Sequence, residues 1–279
     1  MASGAMGLTL LSGEVPEFGV SAFDSQPLFP SEVWKTSGGE HYVWSDIWIT
    51  NHICMAVIGA LVVIGFWLIV SHKMTIVPSK RQWFGEYVYN IIRNGVAREM
   101  IGEGYHTFVP WLLGLFCFIL VNNWFGEFFP FMFPTFSKIG FAWGLAILSW
   151  LLYNYIGIRR HGFAHYMKKM TVPAGVPPLL LILISPLEFI SNFITRPVTL
   201  GIRLFANLFA GHLMVLIFVV GGTYLLTYTH NAPYNIAGGA SLLMSSFIFA
   251  LELLVGFLQA YIFTVLTAQY VSSALSDEH

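Results

Sequence analysis

The stretch PLEFISNFITRPVTLGIRLFANLFAGH, which runs from Pro186 to His212, decides the fold. It lies inside an apolar run of about 50 residues, 178–228, which is too long for one span perpendicular to a bilayer. Polar side chains recur through it at spacings of one, three or four residues, which on a helix form one continuous stripe. The stripe consists of Glu188, Asn192, Thr195, Arg196, Thr199, Arg203 and Asn207.

Two arginines in this stripe are unusual for a transmembrane helix. Arg196 and Arg203 are seven residues apart, which is about 10 Å along one helix face. An arginine at the centre of a span costs about 3 kcal/mol on insertion scales, so it marks a functional site by default. Because a guanidinium does not release its proton, we expect Arg203 to block proton flow rather than to carry it.

The last apolar run, 238–273, has a matching stripe. Ser245, Glu252 and Gln259 are each seven residues apart, so they share one helix face about 20 Å long. Glu252 is the only acid in that run. A carboxylate on this helix and an arginine on the preceding one predict a polar path between the two helices. His212 and Glu252 are the groups of this path that can carry protons.

The composition places the whole chain in a membrane. Of its 279 residues, 56% are apolar and 10% are charged, against about 25% charged residues in soluble proteins. Mean hydropathy is +0.70. No basic patch interleaved with aromatic residues occurs, so nucleic-acid binding is not expected. Cys54 and Cys117 lie within apolar runs and indicate neither a disulfide framework nor a metal site.

The predicted fold is an all-α integral membrane domain over 47–279, preceded by an extracellular N-terminal segment over 1–46. Five transmembrane helices are expected, the last two long and steeply tilted as a hairpin. An interfacial amphipathic helix is expected at about 82–103, because Phe84, Tyr87, Val88 and Ile91 recur at helical spacing. The predicted spans are about 48–70, 108–129, 140–158, 178–228 and 238–273.

Basic residues predict the orientation of these spans. They cluster after the first and third spans, and the second cluster includes the loop RRHGFAHYMKK, whose His161 and His165 are expected to be solvated. The positive-inside rule places both clusters in the cytoplasm, with the N-terminus outside and the C-terminus inside. The clusters are Lys73, Lys80, Arg81, Arg93 and Arg98, and then Arg159, Arg160, Lys168 and Lys169.

The runs RPVTLGIRLFANLFAGH and ELLVGFLQAYIFTVLTAQY resemble the a subunits of rotary F-type ATP synthases, most closely actinobacterial ones. The order of spans is similar as well, and the resemblance covers roughly residues 40–279. It implies a non-catalytic stator subunit that conducts protons in a bacterial plasma membrane. Its partners would be a ring of c subunits, peripheral-stalk b subunits, other subunits of the complex and the lipid bilayer. No cofactor is implied, and no glycine-rich phosphate loop is present.

The resemblance also implies roles for single residues. Arg203 matches the essential arginine that faces the carboxylates of the c ring and separates two aqueous half-channels. Asn207 matches the asparagine of the same motif, and Gln259 matches the glutamine that faces the arginine. His212 and Glu252 match titratable positions of the half-channel that opens to the outside, with acid and histidine exchanged relative to some members.

Weaker correspondences extend the expected proton path. Asn123 matches a channel-lining asparagine, and Glu127 would add a carboxylate at the outer mouth. Arg196 and Glu188 would belong to the inner half-channel or the ring contact. Ser245, on the polar stripe of the last helix, would also belong to the proton path.

Other interpretations of these residues and of the whole chain stay open. Asn123 and Gln259 could serve only to pack helices, and Glu188 could be purely structural. A secondary transporter with an intramembrane arginine site would normally show internal repeats and more spans. An intramembrane enzyme would need a nucleophile–base pair or metal ligands within its spans, and no such cluster is visible in the sequence.

Overall fold

The computed structural model describes residues 51–72, 74–127, 135–172, 177–228 and 231–276. Regular structure within these ranges is helical. The helices are α1 (Asn51–Ser71), α2 (Lys80–Ile92), α3 (Val109–Glu127), α4 (Ile139–His161), α5 (Phe163–Thr171), α6 (Pro178–Ile190), α7 (Arg196–Tyr228) and α8 (Ala232–Leu275).

Five helical stretches of the described residues are long and apolar enough to cross a membrane. They are His52–Ser71, Val109–Glu127, Ile139–His161, Leu180–Thr227 and Ala232–Leu275. The predicted all-α membrane fold with five spans is therefore confirmed. The expected extracellular segment, residues 1–46, lies outside the described residues.

The over-long fourth span is a helix with a π-helical segment in it. Ser191–Thr195 forms this π segment between α6 and α7, and the N–H of Arg196 donates to the carbonyl of Ser191 five residues back. Pro197 follows, and its ring nitrogen has no hydrogen to donate in the regular ladder. The eight-residue step from Glu188 to Arg196 would turn about 80° off one face of a regular α-helix. Because a π turn accommodates one extra residue, the side chains of Glu188 and Arg196 stay close to one face of the helix.

The predicted interfacial helix is present and begins slightly earlier than expected. α2 starts at Lys80, where the Ser79 hydroxyl accepts a hydrogen bond from the Gln82 N–H at 3.4 Å. A π-helical segment, Arg93–Arg98, and a short turn, Glu99–Ile101, prolong it. Gly102 ends it with a φ of 72°, a left-handed conformation that glycine adopts without strain.

The described chain divides into two compact units. The first contains residues 51–59, 122–127, 135–138, 206–228 and 231–256, and the second contains the remaining described residues. Within the first unit the last two helices pack closely, since the Ser241 hydroxyl donates to the Phe218 carbonyl at 2.8 Å. A Cβ at Gly222 would lie 3.1 Å from the carbonyl oxygen of Gly238, so small residues permit this approach. The predicted C-terminal pair of long helices is confirmed.

In the second unit, the loop prediction for RRHGFAHYMKK was wrong. Its first residues end α4, and Phe163–Thr171 forms the separate helix α5 after a turn at Gly162. Tyr166 is buried, and the space that it occupies exists because Gly157 has no side chain. The apolar residues of this segment, Phe163, Tyr166, Met167 and Met170, do recur at helical spacing, but the prediction gave more weight to its density of basic residues. His165 is exposed, as expected, whereas His161 is half-buried and its Nε2 is buried.

Candidate functional site

Arg203 lies on the outer surface of the described chain. α7 buries Leu200 and Leu204 on one side, while Arg203 is exposed, as is Asn207 one turn further on. The neighbouring Ile202 is 45% exposed. Within the described ranges no carboxylate forms a salt bridge with Arg203. A cation therefore stands on an apolar, outward-facing helix surface.

Three titratable side chains meet in the first unit. Nδ1 of His212 lies 3.4 Å from Oε1 of Glu127. Glu252 is close enough to interact electrostatically with both of these groups. Its carboxyl group occupies space next to α7 that a side chain at Gly211 would fill. The sequence predicted the acid–histidine pair as Glu252 with His212, and the structure makes Glu127 a direct partner of the histidine.

The carboxylate of Glu127 is well placed to hold this imidazole. The Glu127 side chain is 3% exposed and that of His212 is 13% exposed. An electrostatic interaction between groups that are shielded from water to this extent is screened little by salt. The pair can therefore hold the histidine in one orientation, with Glu252 as a second carboxylate within electrostatic reach.

Asn123 bridges two helices of the first unit. It is buried, and its amide Nδ2 donates to the carbonyl of Gly256 at 3.0 Å. Its Oδ1 has no hydrogen-bond partner in the described part of the chain. One end of the amide thus packs α3 against α8, and the other remains available as an acceptor. Trp124 adds a second bridge, from Nε1 to the Leu253 carbonyl at 3.1 Å.

Ser245 makes a local contact rather than a link between the predicted polar residues. Its hydroxyl donates to the carbonyl of Leu242 on its own helix at 2.8 Å, and the residue is buried. Such a bond back to the preceding turn satisfies the hydroxyl without a partner on another element.

A separate polar network lies in the second unit around Asn192. Its Nδ2 donates to the carbonyl of Met170 at 2.7 Å and to Oε2 of Glu188 at 3.2 Å. Its own carbonyl accepts a hydrogen bond from the Tyr153 hydroxyl at 3.3 Å. Glu188 is thus held by an asparagine that is fixed on both sides. The sequence placed Asn192 in the polar stripe but did not indicate that it orients Glu188.

Arg196 makes an aromatic contact in the same unit. Its guanidinium carbon lies 5.1 Å from the ring centroid of Tyr270, a cation–π distance. Its Nη1 is buried without a hydrogen-bond partner among the residues described. Neither Tyr270 nor its contact with Arg196 was predicted, because 74 positions of chain separate the two residues.

Tyr166 on α5 supports this network as a neutral donor. Its hydroxyl donates to Oδ1 of Asn154 at 3.1 Å. Burial raises the pKa of Tyr166 to about 12, although the charge of Arg196 acts in the opposite direction. The hydroxyl therefore keeps its proton at neutral pH. Gln259, on α8 in this unit, is buried with 3% exposure.

The structure thus brings predicted residues together in two groups, one in each unit. Within the first unit the structure brings together Glu127, His212 and Glu252, with Asn123 and Ser245 in the same unit. Within the second unit Glu188 contacts Asn192, and Arg196 contacts Tyr270. In the described residues no cluster of three or more His, Cys, Asp or Glu side chains has the arrangement of a metal site.

The sequence matches the family described as ATP synthase A chain over residues 53–272. A protein named ATP synthase subunit a from Nocardioides sp. is 47% identical over 232 residues, which cover 83% of each chain. A protein of the same name from Pseudarthrobacter chlorophenolicus is 36% identical over 272 residues, or 96% of each chain. Another from Streptomyces lividans is 32% identical over 95% of this chain and 89% of its own. The chain therefore belongs to the ATP synthase A chain family, whose members are the non-catalytic, multi-pass membrane subunit a of ATP synthase.

Proposed function

We propose that this chain conducts protons through two half-channels and that Arg203 separates them by facing the carboxylates of a c-subunit ring. The observation that carries the proposal is the exposed Arg203 on an apolar face, without a carboxylate partner in the described chain. Leaving such a cation against lipid costs several kcal/mol. A carboxylate supplied by another polypeptide would remove most of that cost.

The group formed by Glu127, His212 and Glu252 would be the half-channel that opens to the outside. A histidine held 3.4 Å from one carboxylate and within electrostatic reach of another can receive and pass on protons. The free acceptor of Asn123 would hold a water molecule in the same path. A proton would leave this group for a carboxylate of the ring.

The inner half-channel would include Glu188 and Arg196. Asn192 orients the carboxylate of Glu188, and the aromatic contact with Tyr270 holds Arg196 in place. An acid near the cytoplasmic exit can accept the proton that a ring carboxylate releases. The positive charge of Arg196 would favour the ionised form of that carboxylate as it arrives.

Neutralisation of the ring carboxylate explains how proton flow is coupled to rotation. A charged carboxylate cannot enter lipid cheaply, whereas a protonated one can. Arg203 would pair with the ionised form and, because it keeps its own proton, would prevent a direct leak. One charge that moves through 100 mV gains about 2.3 kcal/mol, so several protons are needed for each ATP.

The distribution of basic residues supports an orientation with the N-terminus outside and the C-terminus in the cytoplasm of a bacterial cell. We further propose contacts with peripheral-stalk b subunits. The alternative function, that of a secondary transporter, is supported only by the intramembrane arginine.

Cysteine cross-linking in the assembled complex tests whether this face of α7 contacts the ring. The variant is Asn207→Cys in a background that lacks Cys54 and Cys117, paired with single cysteines along the outer helix of the c subunit. We expect disulfides near the ring carboxylate. The matched control, Leu151→Cys, is on α4 and is 52% exposed, so it should give none. No cross-link from Asn207→Cys, or equal cross-linking from both positions, would reject the proposal.

A further inference from the structure

A cavity of about 470 Å³ opens at the turn between α1 and α2, formed by residues that the proposed proton path does not use. We call it the turn cavity. Its polar wall consists of His72, Thr75, Ser79, Arg81 and Gln82. Arg81 and His72 are exposed, so their side chains are accessible from outside the protein.

A second cavity of about 370 Å³ has a mostly apolar lining and shares Ile69, Val70 and Arg81 with the turn cavity. Phe66 and Ile69 of α1 and Phe84 of α2 line it, and Lys80 stands at its edge. The rings of Phe66 and Phe84 meet edge to face at 6.0 Å between centroids. A polar compartment and an apolar one thus adjoin along a shared wall that includes Arg81.

The turn that forms the polar wall is held in shape by hydrogen bonds. Oε1 of Gln82 accepts from the Thr75 N–H at 3.1 Å, and Nε2 donates to the Thr75 carbonyl at 2.9 Å. α1 and α2 also approach closely, because a Cβ at Gly85 would overlap the side chain of Val70. The cavity is therefore largely preformed.

The charge around the two cavities is positive. Lys80 and Arg81 begin α2, where backbone N–H groups without helical partners add a partial positive charge. No acid is among the residues that line either cavity in the described chain. Glu86 is the nearest acid along α2, and its Oε1 already accepts from Gln82 at 2.7 Å.

The surrounding surface is typical of a membrane interface. Ile76 is fully exposed and Val77 is 82% exposed in the turn itself. Trp83 and Tyr87 stack at 5.7 Å between ring centroids, and both are exposed. Aromatic side chains of this kind lie at the level of the lipid headgroups.

We infer that the turn cavity binds the phosphate of an anionic phospholipid and that one acyl chain of this lipid lies in the adjoining apolar cavity. Arg81 contacts the phosphate, Lys80 on the wall of the adjoining cavity adds positive charge beside it, and His72 can donate a hydrogen bond. Phe66, Ile69 and Phe84 line the groove for the chain. The pairing of a basic, polar compartment with an apolar one fits a phospholipid better than a free anion. The inference does not depend on the proposed proton path.

Photo-cross-linking in the complete complex tests this site. The complex is reconstituted with phosphatidylglycerol that carries a diazirine on one acyl chain, and labelled peptides are identified by mass spectrometry. We expect labelling within residues 60–84, reduced about tenfold in Lys80→Ala/Arg81→Ala because two positive charges at the site are lost. Lys80→Arg/Arg81→Lys should retain labelling. Lys168→Ala, an exposed lysine on α5, should change nothing.

Three results would overturn the inference. The first is labelling of the double alanine variant at the wild-type level. The second is loss of labelling with millimolar inorganic phosphate, which would indicate a site for free anions. The third is labelling of the separated chain but not of the complex, which would mean that another polypeptide covers the cavity. Co-purification of the variants with the other subunits checks that they assemble.

Discussion

Gly211→Ala is the substitution that tests the geometry of the outer group most selectively. A Cβ at this position would overlap the carboxyl group of Glu252. Because ordinary contacts between heavy atoms lie near 3.5–4.0 Å, the carboxyl group would have to move by about 2 Å. The displaced atoms are the far end of a flexible side chain. The helix should therefore tolerate the change, and the free energy of unfolding should fall by no more than about 1 kcal/mol.

Proton transfer should be much more sensitive than stability. A displacement of about 1 Å can cost up to about 100-fold in rate when groups must be aligned. We expect ATP-driven proton pumping by inverted vesicles to fall at least tenfold in Gly211→Ala, while the complex still assembles. Gly221→Ala is the matched control, since it is on the same helix with nothing within 4 Å of an added Cβ.

A shorter acid should partly restore the lost function. Glu252→Asp in the Gly211→Ala background withdraws the carboxyl group by one methylene and gives the added Cβ room. Pumping should then rise above that of Gly211→Ala alone. Equal pumping by Gly211→Ala and Gly221→Ala would refute the reasoning, because the position of the Glu252 carboxyl group would then not matter.

Three further changes address other contacts. Glu127→Gln removes the charge beside His212, so pumping should fall severalfold without loss of assembly; unchanged pumping would make Glu127 a packing residue. Gly157→Ala should destabilise the subunit by about 1–3 kcal/mol, because the new Cβ overlaps the buried Tyr166 ring. Thermal unfolding in detergent measures this, and a variant as stable as wild type would contradict the prediction. Deletion of Ile194 removes the extra residue of the π segment and leaves a seven-residue step from Glu188 to Arg196, which on a regular α-helix keeps both side chains within about 20° of one face. Pumping should therefore be retained; its loss in an assembled complex would contradict this account of the alignment.

The spans could be predicted because their evidence is local. Each is a continuous apolar run of sufficient length, so composition within about 20 residues decides it. Arg203 could be identified as a candidate site residue in the same way, because an arginine inside an apolar run has a high energetic cost. Its exposure was not decided by the sequence, because a polar stripe does not indicate whether it faces a neighbouring helix of the same chain or the outside.

The contacts of the candidate site depend on residues that are far apart in the chain. Glu127 is separated from His212 by 85 positions, and no local pattern links them. The role of Gly211 could not be predicted either, because glycine occurs in membrane helices for many reasons. Only the position of the Glu252 carboxyl group shows that this glycine leaves room for it. The π segment was missed because the short steps between neighbouring polar residues each fit a regular helix, and only the full step from Glu188 to Arg196 departs from one face.

The central claim is that Arg203 couples proton flow to the ring by its charge and its place on the outer face of α7. The most direct measurement is ATP-driven proton pumping in inverted vesicles that carry Arg203→Ala, beside wild type and Lys168→Ala, with assembly checked by co-purification. We predict that pumping disappears in Arg203→Ala, although the complex assembles, and that Lys168→Ala pumps normally. Pumping by Arg203→Ala at the wild-type rate would contradict the account, because Arg203 would then be a structural residue.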